Sequence, residues 1–497
     1  MSEVVGNVLE THGIREITII LREGKRLPLG SFVYVLDEGI PIVYQVVSPT
    51  YDRRASELDK RLIVKGKVMR DDLYVYVCRG VLVGKVYEDG RIEPPKYPIP
   101  PLSEVYEIDE RLVRMVIEPP GHKVRIGVNP LTNQPVFMDL RQLIRQGLLI
   151  SGAQGTGKTT ALLTLIVRSI EAFSHLRFLV LDWTGEFRSL RKCDVIVDSL
   201  TWDEALPSLI AEDPTTTIEI LRSEDPRVRG AVEEVLFTAL VLCRKRGVYP
   251  TKERVRAMVG SQGRDFGGNR SQETISTAIN IVENSEILPE REPNHFLKSE
   301  DLIEKIMDNN VVVIDFTRTK RNVDGFEIKK RMASFLAKCV WERASRDERF
   351  GCIVVSDEAH RIAPERSYGG DMDGIWLRLA TEGGRNGCPL WLVARRLSLV
   401  SKAVTTELQQ NFICFNVEDV DRKRIAEDLG ETFSDLLGTL PPGEALVKSA
   451  AGFRIPGEVV HVRFDKVVEP SSVNYGLEEK FLPVGSKNAS TIDRWIT

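Results

Sequence analysis

The segment "GAQGTGKTT" constrains the fold of this chain more than any other part of the sequence. It fits the pattern G-x-x-x-x-G-K-[S/T] in full and lies between the apolar run "GLLI" and the helical pattern "ALLTLIVRSI". A strand, a glycine-rich loop and a helix in this order form a phosphate-binding loop. The predicted nucleotide-binding residues are Gly152, Ala153, Gln154, Gly155, Thr156, Gly157, Lys158, Thr159 and Thr160. Lys158 is expected to reach the β- and γ-phosphates as a catalytic residue, and Thr159 to offer a hydroxyl to magnesium.

A second motif, "CIVVSDEAH", places two carboxylates at the end of an apolar strand. Asp357 is predicted to hold magnesium, mainly through its water shell, and Glu358 to orient and polarise the attacking water. Adjacent carboxylates also occur in solvated turns, but a complete phosphate-binding loop in the same chain favours the catalytic interpretation. Together the motifs predict magnesium-dependent hydrolysis of a nucleoside triphosphate. The role of His360 stays open between coupling the site to a neighbouring segment and ordinary packing.

The distribution of apolar runs predicts two β-structures of different type. From Val4 to about Val86, short runs rich in Val, Ile and Tyr alternate with turns, as in a small antiparallel barrel. After about Val136, apolar strands are followed by longer helical patterns, which indicates a mainly parallel sheet covered by helices on both faces. The predicted fold class is therefore α/β, with a P-loop ATPase core of mainly parallel strands and an N-terminal β-barrel; the family resemblance described below implies that this core is RecA-like.

These patterns of apolar runs also suggest where the domains begin and end. We expect the barrel at residues 1–130 and the ATPase domain at residues 131–470, with a helical insertion at about 200–305. The tail, residues 471–497, ends in an apolar pair and is expected to pack on a neighbouring subunit, although an unordered tail fits equally well. The segment "PPKYPIPP" forbids regular structure and is either a linker or a stiff crossing within the barrel.

Composition favours a cytoplasmic protein without a membrane partner. No apolar stretch approaches the roughly 18 residues that a membrane span needs, and the start "MSEVVGNVLETHG" lacks the features of a signal peptide. The seven cysteines form no C-x-x-C pair, which excludes a zinc ribbon and fits a reducing compartment. With a net charge of −4, the chain can meet nucleic acid only through a local basic surface.

The letters Asp-Glu-Ala-His name a class of helicases, but the rest of the chain does not fit that class. Asp357 follows Lys158 at a longer distance than in those helicases, and their late Q-x-x-G-R-x-G-R motif is missing. The sequence instead resembles the archaeal HerA family of hexameric DNA translocases, within the HerA and FtsK group of RecA-like motors. The resemblance rests on the order of "PLGSFVYV" in the barrel, the phosphate-binding loop, "DWTGEF", "VVVIDF", "VVSDEAHRIAP", "EGGRNG" and "LPPGEALV".

This resemblance implies a homo-hexameric ring with a barrel (the HAS-barrel of the family) on one face and ATP between neighbouring subunits. Arg385 in "EGGRNG" matches the arginine finger, a catalytic residue that reaches the nucleotide of the adjacent subunit. The alternative is a loop arginine paired with Glu382. Glu186 matches an acidic position near the nucleotide, although a carboxylate at a helix amino terminus is the plainer interpretation. Arg145 lies one residue out of register with a second, cis-acting nucleotide-binding arginine.

One departure from the family concerns the end of the strand "PLWLVA". Relatives continue with Thr-Gln-Arg-Pro, where the glutamine senses the γ-phosphate, whereas this chain continues from Ala394 with Arg395, Arg396 and Leu397. Arg395 is therefore expected to contact phosphate or DNA. The alternative is that the signal from the lost γ-phosphate to the DNA-contacting loops is weakened in this chain.

The loops that follow two of the predicted parallel strands are expected to face the pore of the ring and to contact DNA. The candidate DNA-binding residues are Arg361, Arg366, Arg395 and Arg396. Contacts of this kind track backbone phosphates without reading bases. An ordinary solvated loop explains each of these arginines equally well.

The resemblance thus predicts an ATP-dependent translocase or helicase on double-stranded DNA, with ATP and Mg²⁺ as cofactors. Archaeal relatives act with the nuclease NurA in resecting ends at double-strand breaks, so a NurA-like nuclease and the break-processing nuclease complex are the expected partners. Two alternatives stay open. One is a conjugation- or secretion-type DNA pump, which normally has a membrane attachment, and the other is an ATP-binding assembly or recruitment protein. The intact Glu358 argues against the latter, because a pure switch does not need a water-activating carboxylate.

Overall fold

Two β-sheets and the helices that cover them make up the computed structural model. It describes residues 3–53, 74–119, 121–265, 271–294, 297–319, 325–365, 374–449, 459–468 and 470. The predicted C-terminal tail and the apolar run "LIVKGKV" lie outside the described residues.

The N-terminal sheet closes into a barrel of six antiparallel strands. Its strands are β1 (Val4–His12), β2 (Glu16–Leu21), β3 (Phe32–Asp37), β4 (Ile40–Arg53), β5 (Tyr74–Val86), β6 (Ile92–Glu93) and β7 (Glu104–Glu107). The order β2-β1-β7-β3-β4-β5 returns to β2, and the short β6 pairs with β5 outside the ring. Alternate side chains such as Val8, Ile17 and Val33 are buried inside. The predicted antiparallel barrel is therefore confirmed.

The proline-rich segment 94–101 connects β6 to β7 without regular secondary structure. Both of these strands belong to the barrel sheet. The segment is therefore a crossing within the barrel, which was one of the two predicted possibilities.

The second sheet has eleven strands in the order β12-β13-β11-β14-β15-β10-β16-β17-β18-β8-β9. They are β8 (Lys123–Val128), β9 (Pro135–Asp139), β10 (Leu148–Ser151), β11 (Phe178–Asp182), β12 (Val197–Thr201), β13 (Val311–Asp315), β14 (Ile353–Ser356), β15 (Leu390–Ala394), β16 (Asn411–Phe415), β17 (Glu444–Ser449) and β18 (Val459–Phe464). The strands from β12 to β16 in this order are parallel, and the others are antiparallel. The central parallel strands are buried at every residue, because helices cover both faces. This confirms the predicted α/β class.

Fifteen described α-helices accompany these strands. They are α1 (Glu110–Ile117), α2 (Leu140–Gln146), α3 (Lys158–Ala172), α4 (Leu206–Glu212), α5 (Pro214–Glu224), α6 (Gly230–Lys245), α7 (Lys252–Asp265), α8 (Gln272–Asn284), α9 (Ser299–Asp308), α10 (Phe326–Arg346), α11 (Ala359–Ile362), α12 (Gly374–Glu382), α13 (Lys402–Leu408), α14 (Asp419–Leu429) and α15 (Glu431–Leu437). In the parts of the chain that the structure describes, no helix is long and apolar enough to cross a membrane. All seven cysteines are free thiols.

Helices α4 to α9 lie between β12 and β13, in the region where the sequence suggests a helical insertion. Strand β12 itself is not evident from the sequence. It pairs only with β13 at the edge of the sheet, and its half-exposed residues form no apolar run.

The chain passes from the barrel to the larger sheet between β7 and β8. Strand β8, which lies before residue 130, already pairs with β18 and β9 in the larger sheet. We therefore propose that the boundary between the two parts lies within the connection that contains α1, somewhat earlier than the sequence suggests.

A buried polar contact joins the barrel to the ATPase core. Gln45 in β4 donates a hydrogen bond from Nε2 to the carbonyl oxygen of Val459 in β18, over 2.7 Å. Val47, two residues further along β4, is buried in the same apolar cluster as the core of the larger sheet. The barrel is thus packed directly on the ATPase core.

Candidate nucleotide site

The phosphate-binding loop joins β10 to α3 at the carboxyl end of the parallel strands. Gly152, Gly155 and Gly157 have φ angles of +156°, +77° and +111°, a region that favours glycine. A Cβ atom on Gly152 would also lie only 2.6 Å from Cβ of Phe415 in the neighbouring strand β16. Both the backbone conformation and the close approach of β16 therefore require glycine at this position.

Lys158, the first residue of α3, folds back over this loop. Its Nζ atom donates a hydrogen bond to the carbonyl oxygen of Ala153 over 2.6 Å. Burial lowers the pKa of Lys158 to about 8, the negative charges of Glu358 and Glu186 oppose this decrease, and the positive charge of Arg395 adds to it. Side chains from the ends of three strands therefore act electrostatically on Lys158.

The remaining loop residues differ in exposure. Thr156 is buried, and its hydroxyl donates to the carbonyl oxygen of Ala153 over 2.9 Å, whereas Gln154 and Gly155 are exposed. Thr159 and Thr160 lie half-buried in the first turn of α3. The Thr159 hydroxyl thus lies beside Lys158, at the position where the motif predicts a contact with magnesium.

Asp357 follows β14 and is held by the turn that follows β11. Its Oδ1 atom accepts a hydrogen bond from the Trp183 amide over 3.0 Å, and its Oδ2 atom accepts one from the Thr184 hydroxyl over 2.6 Å. Burial, together with the negative charge of Asp182, raises the pKa of Asp357 well above the usual range of a carboxyl. Its position is therefore fixed by β11 as well as by its own strand.

Asp182, at the end of β11, is a further buried carboxylate of the site that sequence reasoning missed. It accepts hydrogen bonds from the amides of Gly185 over 2.6 Å and Phe187 over 3.2 Å, and burial raises its pKa to about 6. These contacts shape the "DWTGEF" turn. A signal was available, since Asp182 ends the apolar run "FLVLD" as Asp357 ends "IVVSD".

Glu186 begins a 3-10 helix, Glu186–Lys192, directly after this turn and is half-buried. Its charge acts on Lys158, as described above. Both interpretations of the sequence therefore apply to Glu186. It is a carboxylate at a helix amino terminus and also an acidic group near the predicted nucleotide site.

Glu358 presents an unused hydrogen-bond acceptor. Its side chain is 22% exposed, and its Oε2 atom is buried without a hydrogen bond to any residue that the structure describes. His360 brings Nδ1 to 3.1 Å from this oxygen, outside hydrogen-bond geometry. A carboxylate oxygen with open acceptor capacity near Lys158 is suited to orient water.

The four arginines suggested as DNA contacts have different surroundings. The guanidinium of Arg361 lies over the rings of Trp183, 5.4 Å from its centroid, and Phe326, 5.7 Å away. Arg396 forms an ion pair with Glu418. Arg395 is exposed at the end of β15, and Arg366 lies outside the described residues. Unlike Arg361 and Arg396, Arg395 has no side-chain hydrogen bond, ion pair or ring contact with any described residue.

Arg145 and Arg385 lie at the opposite end of the sheet from the phosphate-binding loop. Arg145 is in the last turn of α2, before β10, and Arg385 is in the loop that leads from α12 into β15. The four residues of β10 span about 13 Å, so Arg145 is separated from the loop of its own chain. For Arg145 we therefore propose a trans contact below, as the alternative to the predicted cis contact.

Arg385 is exposed, and no described carboxylate forms an ion pair with it. Its backbone amide donates to the carbonyl oxygen of Glu382 over 3.0 Å. The suggested salt bridge with Glu382 is thus not formed in the structure.

Gly443 is a second residue that contacts the phosphate-binding loop and was not predicted from the sequence. Its amide donates to the carbonyl oxygen of Thr156 over 2.8 Å, and a Cβ atom on Gly157 would lie 3.2 Å from its Cα atom. The turn "PPGE" before β17 therefore closes on the phosphate-binding loop, which gives the motif "LPPGEALV" a structural role.

Known proteins resemble this chain in sequence and in fold. Residues 124–332 match the central domain of the helicase HerA. The chain is 23% identical to a probable helicase of Methanocaldococcus jannaschii, over 94% of this chain and 97% of that protein. It is 24% identical to the DNA double-strand break repair helicase HerA of Sulfurisphaera tokodaii, over 89% of this chain and 90% of that protein.

A solved structure of similar fold is VirB4 of Thermoanaerobacter pseudethanolicus. The TM-score is 0.51 and the sequence identity 16%, over 70% of this chain and 98% of that one. This likeness concerns the fold alone.

Proposed function

We propose that this chain, whose residues 124–332 match the central domain of the helicase HerA, is an ATP-dependent translocase on double-stranded DNA. Its relatives include proteins named DNA double-strand break repair helicases, which supports a role in the processing of DNA ends. The observation that carries the proposal is the arrangement of Lys158 and Glu358, which follow β10 and β14 at the same edge of the sheet, with only β15 between these two strands.

The residues present fit ATP and Mg²⁺. The glycines of the loop give its backbone the positive φ angles with which amides can turn toward phosphates, and Lys158 supplies a positive charge beside them. Thr159 and Asp357 would hold the magnesium, which neutralises phosphate charge when bound. No group of three His, Cys, Asp or Glu side chains among the described residues could hold a metal alone. This suits an ion that is bound largely by phosphate and water.

Hydrolysis then follows from the positions of the side chains. Lys158 binds the phosphates, and Glu358 uses its open Oε2 atom to orient a water toward the γ-phosphate. Asp357 keeps a fixed position because Trp183 and Thr184 bind both of its oxygens. Glu186 adds a second carboxylate near Lys158.

Residues at the amino ends of the parallel strands are proposed to complete the nucleotide site of a neighbouring chain. We propose that Arg385, together with Arg145 beside it, reaches the nucleotide of an adjacent subunit in a hexameric ring. A trans-acting arginine stabilises the charge of the transition state and typically raises the rate by about 10³ to 10⁵. The exposure of Arg385 and its lack of an ion pair among the described carboxylates support this assignment.

DNA passes through the centre of the proposed ring, and a NurA-like nuclease is the proposed partner at DNA ends. Since Arg361 and Arg396 are engaged within the chain, DNA contacts require either a rearrangement of these side chains or other basic residues. Arg318 is one such residue, because it is exposed directly after β13.

ATP turnover with and without blunt duplex DNA tests the proposal. We expect DNA to stimulate turnover in the wild type, and Lys158→Ala and Glu358→Gln each to lower it by at least about a hundredfold. Glu358→Gln is expected to keep ATP binding, because the cradle and Lys158 remain. Equal turnover with and without DNA, or full activity of Lys158→Ala, would contradict the proposal.

Particle images of the protein with an ATP analogue and duplex DNA test the assembly separately. Six-fold rings with DNA in the central channel are the expected result. Monomers under these conditions would contradict the ring and the trans role of Arg385, but not the ATPase activity.

A further inference from the structure

The order of the strands indicates on which side of the phosphate-binding loop the nucleoside of a bound nucleotide lies. Glu358, which is proposed to orient water toward the γ-phosphate, follows β14, and the loop follows β10. The γ-phosphate is one end of a linear triphosphate, and the nucleoside is attached to the other. On the side of β10 that faces away from β14, the sheet continues with β16, β17 and β18. The nucleoside is therefore expected beside the ends of these three strands.

Phe464 is the last residue of β18 and lies at the same edge of the sheet as the phosphate-binding loop, because β17 is antiparallel to both β16 and β18. Its amide donates a hydrogen bond to the carbonyl oxygen of Gly443 over 2.9 Å, and the Gly443 amide donates to Thr156 of the loop over 2.8 Å. The carbonyl oxygen of the next residue, Asp465, accepts a hydrogen bond from the Thr164 hydroxyl of α3 over 3.0 Å. The end of β18 is thus fixed both to the loop and to the helix that follows the loop.

The contacts of the Phe464 ring show that it lies on the face of the sheet that α3 covers. The ring packs against the apolar cluster that contains Ala161 of α3. Its centroid is 5.5 Å from the ring centroid of the buried Phe415, and a Cβ atom on Gly157 would lie 3.3 Å from Cε1 of Phe415. Phe464 itself is half-buried. An aromatic side chain that the core does not fully cover therefore lies beside the first turn of α3.

We propose that Phe464 stacks on the base of the nucleotide bound in its own subunit, and that the turn after β18 is the nucleoside subsite. This inference rests on the ATPase activity proposed above and deepens it, because it names a residue that recognises the nucleoside and not the phosphates. Bases stack on aromatic side chains through their π-faces, which every base has. The subsite therefore favours nucleotides over inorganic polyphosphates.

Binding of ATPγS and of inorganic tripolyphosphate to the full chain tests this assignment. Phe464→Leu keeps an apolar side chain against Phe415 but removes the aromatic face, and it is expected to weaken ATPγS binding by at least about fivefold. Tripolyphosphate binding is expected to change by less than about twofold, because this anion has no base. Phe464→Tyr keeps the ring and is expected to bind ATPγS as the wild type does. Phe237→Leu, the same change at an exposed phenylalanine of α6, serves as the matched control.

The two ligands also distinguish the ways in which the proposal can fail. It is overturned if Phe464→Leu weakens ATPγS and tripolyphosphate binding equally, which is the result that a merely structural role would give, or if it changes neither. It is also overturned if Phe464→Tyr loses as much ATPγS affinity as Phe464→Leu. If the wild type binds neither ligand, or if Lys158→Ala binds and hydrolyses ATP normally, the proposed ATPase function itself fails.

Discussion

Gly384 lies directly against the backbone of Arg145, and a Cβ atom built on Gly384 would stand 1.9 Å from the Arg145 carbonyl oxygen. This contact joins the loop that carries Arg385 to the end of α2. Because nothing larger than glycine fits, the position of Arg385 is set by α2 and by the start of β10. Both arginines of the proposed trans pair are therefore held as one rigid unit.

Gly384→Ala is predicted to displace Arg385 while the nucleotide site of the same chain stays intact. The added methyl group forces the loop away from Arg145, and catalysis loses most of the contribution of the trans arginine. We expect ATP turnover at saturating ATP to fall by at least about tenfold, with ATP affinity changed by less than about threefold.

The control for this variant is Gly260→Ala in α7, where an added Cβ atom meets nothing within 4 Å. It is expected to keep full turnover and to stabilise its helix slightly. Normal turnover by Gly384→Ala would show that the loop can move without loss of the arginine.

Mixing two inactive variants tests whether Arg385 acts between subunits. Arg385→Ala retains Lys158, and Lys158→Ala retains Arg385, so some interfaces of a mixed ring combine both intact residues. We expect the mixture to hydrolyse ATP faster than either variant alone, as measured after the subunits have been allowed to exchange. If the mixture shows only the average of the two separate rates, Arg385 acts within its own chain or not at all.

ATP binding is predicted to become weaker and proton-linked as the pH rises through about 8. Burial gives Lys158 a pKa of about 8 in the free protein, and bound phosphates favour its protonated form. Below this pH the lysine is already protonated. Above it, the protein must take up a proton to bind ATP, which reduces the affinity. Calorimetry in buffers of different ionisation enthalpy measures this uptake directly.

Two variants identify the group that titrates. Arg395→Gln removes a charge that lowers the pKa of Lys158, so the onset of proton uptake is expected to move to higher pH. Lys158→Arg is expected to abolish the pH dependence, because its guanidinium stays protonated. Equal proton uptake on both sides of pH 8 in the wild type would mean that Lys158 does not titrate in this range.

The sequence predicts local patterns well and contacts between distant strands poorly. The strand, loop and helix around Lys158 form a continuous pattern and were predictable. Arg145 precedes β10 and must therefore lie at the amino end of that strand, an inference that the sequence alone allowed. The contact of Asp357 with Trp183 and Thr184 depends on β11 lying beside β14, and nothing in either segment alone specifies this pairing.

The buried hydrogen bond from Gln45 to Val459 is predicted to stabilise the contact between barrel and ATPase core. Gln45→Leu leaves the Val459 carbonyl buried without its partner, which costs about 1–3 kcal/mol and lowers the apparent melting temperature. ATP affinity is expected to stay the same, because neither residue belongs to the nucleotide site. Gln272→Leu, at an exposed position in α8, is the matched control. Equal melting temperatures for both variants would show that this hydrogen bond contributes nothing to the packing of the barrel.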